Sequence, residues 1–95
     1  MAAADPDRDP LIRGLRDRVY ENDLAVLRGI NERLRLVAEL RRAKFERGFA
    51  FVDREREERI LALLAEENDG PLSDEGLREI FRVLLELTKR ELGED

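Results

Sequence analysis

The chain has 95 residues, with no cysteine and no histidine, and a formal charge of −5 at a pI near 4.9. Disulfides, thiolate or imidazole zinc sites, and Ser-His-Asp or Cys-His catalysis are therefore excluded, leaving Arg, Lys, Asp, Glu, Tyr20, Ser73 and Thr88 to carry any chemistry. The acidic balance argues against nucleic acid or an anionic membrane as a partner, and a single domain this small commonly needs a second stabilising device, of which oligomerisation remains.

The opening residues "MAAADPDRDP" lack the basic start and apolar core of a secretory signal. They predict a disordered tail over residues 1–9, ahead of one domain over residues 10–95, in a cytoplasmic protein. No later stretch approaches the ~18 apolar residues of a membrane span. Neither a D-x-D-x-D-G metal loop nor a glycine-rich phosphate loop occurs.

Leu, Arg, Glu and Ala dominate the rest, and 43% of residues are charged, which favours an all-α fold. Sparse punctuation divides it into three helices. The first runs from about Pro10 to Arg47, with proline in its first turn and Gly48 as a left-handed C-cap. Such a helix is roughly 55 Å long, about twice the span expected from a radius of gyration near 13 Å. Two short helices cannot cover it, so a second copy of the chain is expected to. The second helix starts at Asp53 as N-cap and ends near Glu67. "NDGPLSD" separates it from the third, which starts at Ser73 as N-cap and ends near Leu92, before Gly93.

Steps of three and four along the first helix pass through Ile12, Leu15, Val19, Asn22, Val26, Ile30, Arg33, Val37, Leu40 and Lys44. Arg33 and Lys44 interrupt an apolar line. On the second helix, Arg56 and Glu57 stand one turn before Ile60 and Leu61, whereas Arg54, Glu55 and Glu58 fall on the solvated side. On the third, Thr88 lies on the line Leu77, Ile80 or Phe81, Leu84, Thr88, Leu92. Two arrangements satisfy these residues. Their long side chains run past the core edge into water, or they face an anion held inside the fold, since buried charges need partners. A small dianion bearing a hydroxyl suits the second arrangement: arginine pairs with carboxylates, lysine supplies a point charge, and Glu57 accepts from a hydroxyl.

The stretches "LRDRVYENDLAVLRGINERLRLVAELRRAKFERG", "FVDREREERIL" and "NDGPLSDEGLREIFRVLLELT" together resemble the all-helical chorismate mutase family from Leu11 to about Leu92. The shared features are an early arginine, a central "N-x-R", a lysine near the end of the first helix, then "D-x-x-R-E", "I-F" and a hydroxyl residue. The resemblance implies an intertwined homodimer that converts chorismate to prephenate, in aromatic amino-acid biosynthesis, without a cofactor or metal. It implies that Arg33 and Arg56 hold substrate carboxylates, that Arg16 reaches into the partner's site, and that Lys44 meets the ether oxygen whose bond breaks. Glu57 would take the ring hydroxyl with Asp53 nearby, and Thr88 would lie near a carboxylate. Lys44, Glu57 and Arg33 form the expected catalytic group.

One position departs from the family. Leu92 stands where a Gln or Glu usually gives a second hydrogen bond to the ether oxygen. A slow enzyme, an activating complex with DAHP synthase, or a related substrate would each accommodate it. The alternative activities are isochorismate pyruvate-lyase and 4-amino-4-deoxychorismate mutase. A further alternative is a non-catalytic helical dimer that binds a shikimate-pathway enzyme.

Overall fold

The computed structural model describes residues 4–50 and 53–93. Three helices form: α1 (Pro10–Glu46), α2 (Arg54–Glu67) and α3 (Asp74–Glu91). No strand occurs among the described residues, so the all-α expectation holds. The helix ends fall within a residue or so of the predicted ones.

Each end has a local cause. Gly48 takes φ +76°, the left-handed conformation that glycine adopts without a Cβ penalty. This lets Phe49 N donate to Lys44 O at 2.8 Å and Gly48 N donate to Phe45 O at 3.2 Å. The paired bonds are those of a Schellman cap, and they fix the last turn of α1, which carries Lys44. The Asp53 carboxylate accepts from Arg56 N at 3.1 Å and so caps α2. The Ser73 hydroxyl accepts from Gly76 N at 3.0 Å and caps α3. Asn68 ties the connecting loop, donating to Leu72 O at 2.8 Å and accepting from Gly70 N at 3.2 Å.

The chain divides into two units, Met1–Arg35 and Leu36–Asp95. In the first, the sequence predicts a disordered tail over residues 1–9, of which residues 1–3 lie outside the described residues. Within it, Pro6–Arg8 form a turn of 3-10 helix. Asp5 accepts from Asp7 N at 2.9 Å, and the following proline is already set for a helical turn. Asp7 pairs with Arg16. Along this part of α1, Leu11, Leu15, Val19 and Val26 are exposed.

In the second unit, α2 packs on α3. Among the described residues only Leu61, Leu77 and Thr88 are buried, Leu61 almost completely at 1% exposure. The end of α1 joins this unit through half-buried Arg41, whose guanidinium donates to the Leu92 carbonyl. Here the predicted stripe shifts by one residue. Val37, Arg41 and Lys44 are half-buried, whereas Leu40 is 45% exposed. Both Leu40 and Arg41 satisfy a three-or-four step from Val37 and Lys44, so spacing alone does not choose between them.

Two caps separate local from tertiary stability. Gly48→Ala is expected to cost about 1–2 kcal/mol, because a Cβ is strained in the left-handed region. Ser73→Ala is expected to cost about 1 kcal/mol through the lost cap. Urea unfolding followed by circular dichroism measures both; unchanged midpoints would contradict the capping assignments.

Candidate active site

Lys44, Asp53 and Arg56 line one groove, together with Leu40, Phe49, Ala50, Arg54 and Glu55. Its volume is about 700 Å³, within the range of small-molecule sites. The capped end of α1 supplies Lys44, and the N-terminus of α2 supplies the other two. The groove is mixed in character. Leu40 and Phe49 provide apolar wall, while one lysine and two arginines provide positive charge against two carboxylates. Asp53 uses one carboxylate oxygen for the α2 cap, so it is held in place by the fold that it helps to start. Arg56 is exposed in the chain, as are Arg54, Glu55 and Glu58. The division of the charge run between inward and solvated faces is therefore less sharp than spacing predicts, and Arg56 sits on the wall of an open groove.

Glu57 lies a helical step away, at the packing of α2 on α3. It borders a smaller depression of about 280 Å³ with Glu58, Leu61, Arg82, Leu85 and Glu86. Its Oε1 is 2.9 Å from Lys89 Nζ. The hydrogen bond from Lys89 to Glu57 holds the lysine ammonium above its ordinary 10.5, with burial opposing and the charges of Glu57 and Glu86 assisting. A raised pKa of this kind adds stability that is complete below pH 10.5 and is lost as the pH climbs through the higher folded-state value.

Thr88 is buried, and its hydroxyl donates to Leu84 O at 2.6 Å, one turn back on its own helix. The hydroxyl proton is used within α3, and donation to an anion requires the hydroxyl to turn about its Cβ–Oγ1 bond away from Leu84 O. Leu92 caps α3; its N–H donates to Thr88 O at 3.0 Å and its carbonyl accepts from Arg41. In the N-terminal unit, Arg33 is half-buried on α1, and Arg16 is exposed and paired with Asp7 beside a concavity bordered by Pro10, Arg13 and Asp17.

Of the seven predicted site residues, three therefore share the groove, Glu57 lies at the α2–α3 packing and Thr88 is buried on α3. Two belong to the N-terminal unit. Two further residues were not singled out from sequence. Lys89 is the second of only two lysines and directly follows Thr88. Arg41 is three residues before Lys44, on the face that turns toward α3. Among the described residues, no cluster of three metal-ligating side chains occurs and no helix is long and apolar enough to cross a membrane.

Comparison with known proteins places the chain in a family. The family profile of chorismate mutase type II matches residues 15–91. The structure of chorismate mutase form II from Thermus thermophilus is 36% identical over 86% of this chain and 93% of that one, with a TM-score of 0.80. Form I from the same organism is 39% identical over 81% of this chain and 96% of that one, with a TM-score of 0.77. No curated protein sequence matches. The family match takes in most of α1, all of α2 and α3 and every groove residue, and with these two structures it establishes that the chain belongs to the chorismate mutase type II family.

Proposed function

We propose that the chain converts chorismate to prephenate, and that it does so as a homodimer in the cytoplasm. The observation that carries this reading is the grouping of Lys44, Asp53 and Arg56 around one groove with an apolar wall. The rearrangement is pericyclic: one C–O bond breaks as a C–C bond forms, with no nucleophile and no proton transfer. The protein's task is to hold the enolpyruvyl arm over the ring and to meet the charge that grows on the ether oxygen. Fixing the reactive conformer removes an entropic part of the barrier. A cation placed where charge develops stabilises the transition state more than the ground state.

In this reading Arg33 and Arg56 take the two substrate carboxylates, with Thr88 near one of them. Lys44 meets the ether oxygen. Glu57 accepts from the ring hydroxyl, with Asp53 alongside. Lys44 suits its role because the Schellman cap fixes its backbone, and because a cation in the last turn of a helix is favoured by the dipole.

The homodimer is supported by the apolar side chains that one chain leaves in water along α1, among them Leu15, Val19, Val26, Leu36 and Leu40. Fully burying each would contribute about 1.5–3 kcal/mol, and an identical α1 offers a matching line. Arg16 then reaches the partner's groove. Leu92 supports a further element, an activating complex with DAHP synthase that reshapes the site where a side-chain donor is missing.

Incubation with chorismate, isochorismate and 4-amino-4-deoxychorismate in parallel, with products separated by chromatography, tests the activity. Prephenate from chorismate is expected; turnover of only one of the other two would move the assignment to that substrate. Lys44→Ala is expected to lower kcat about 10²–10³-fold with helicity unchanged, and near-normal turnover would refute its role. Leu92→Gln is expected to raise kcat by supplying a second donor; equal or lower activity would count against that reading of the position.

A further inference from the structure

A site for a dianion that contains a carboxylate has an electrostatic problem. Glu57 carries the same sign as both substrate carboxylates, so its charge opposes the binding that its hydrogen bond favours. The structure supplies a compensating group. Lys89, on α3, reaches across to α2 and places Nζ 2.9 Å from Glu57 Oε1. It also lies 3.5 Å from Glu86 Oε1, three residues back on its own helix. The two contacts differ in kind. Lys89 and Glu57 are 19% and 24% exposed, whereas Glu86 is 78% exposed. An exposed pair of the second kind contributes little, while a pair shielded from water interacts more strongly at the same distance. The hydrogen bond to Glu57 is also the largest influence on the Lys89 ammonium.

We infer that Lys89 is a positioning residue for the reaction: it neutralises Glu57 and occupies one carboxylate oxygen, so that the other accepts the substrate hydroxyl in a fixed orientation. This role rests on Glu57 accepting that hydroxyl in the proposed reaction. Lys89 makes no contact with the reacting bond; its influence passes through Glu57. The geometry that allows it is a consequence of helix packing, since Leu61, one turn after Glu57, is buried on the same side of α2. Ordering α2 against α3 therefore also orders the carboxylate.

The test is a double-mutant cycle on the full chain, with kcat and KM for chorismate measured for Lys89→Met, Glu57→Gln and the double variant. Methionine keeps the length and apolar stem of lysine and removes its charge. Lys89→Met is expected to lower kcat/KM about 10–100-fold, the range for a lost hydrogen bond between charged groups, carried chiefly by a higher KM. In the Glu57→Gln background the same change is expected to alter kcat/KM by less than about twofold, because interacting residues are non-additive. Lys89→Arg is expected to recover most of the loss, and Glu86→Gln to leave kcat/KM within about twofold of the parent. A merely structural Lys89 would lower the folded fraction and the apparent kcat, leave KM unchanged, and do so equally in both backgrounds. That result, or an unaffected Lys89→Met variant, would overturn the role of Lys89 alone. A parent protein that turns over no chorismate would overturn the functional reading and this role with it.

Discussion

A 37-residue helix with apolar side chains spaced along most of its length must find something to lie against. The chain's other two helices have 14 and 18 residues, and they pack on each other. What they bury is small: Leu61, Leu77 and Thr88. The apolar line of α1 is left largely in water, from Leu11 through Leu40. The proposed homodimer would satisfy this constraint, since two copies present identical faces and a twofold axis brings like against like. The proposed function depends on the same condition, because it assigns Arg16 to the partner's site.

Around the end of α1 the fold does several things with few residues. Gly48 stops the helix, and the resulting cap fixes the turn that carries Lys44. Asp53 starts the next helix and at the same time faces the groove. Arg41 ties the Leu92 carbonyl, which sets the C-terminus of α3 beside α1. Charge, not an apolar core, accounts for much of this arrangement. A chain with 43% charged residues can bury few of them without partners, and the half-buried pair of Lys89 and Glu57 meets that requirement.

Helix boundaries were legible in the sequence because each is set by a residue whose preference is local. Pro10, Gly48, Asp53, Ser73 and Gly93 act through their own backbone or a cap two or three residues away. The grouping of Lys44 with Asp53 and Arg56 was legible for a related reason: all three lie close to one connection, so little tertiary information is needed to bring them together. Other features were not. Leu40 and Arg41 fit the same helical step, and the bond from Arg41 to the distant Leu92 carbonyl is what tells them apart. The pairing of Glu57 with Lys89 joins residues 32 apart in sequence, and no local pattern encodes it. Thr88 was placed correctly on the inward line, but the bond from its hydroxyl to Leu84 O depends on a rotamer. Arg56 fits an inward face by spacing and is nevertheless exposed at the groove wall.

The central claim is that two chains build each site together. Subunit complementation tests it most directly. Arg16→Ala and Lys44→Ala variants are each prepared, unfolded, mixed in equal amounts, refolded and assayed with chorismate. If Arg16 acts in the partner's site, half of the dimers are mixed and each holds one intact site, so the mixture recovers about a quarter of parent activity. Activity no higher than the average of the two separate variants would contradict the account.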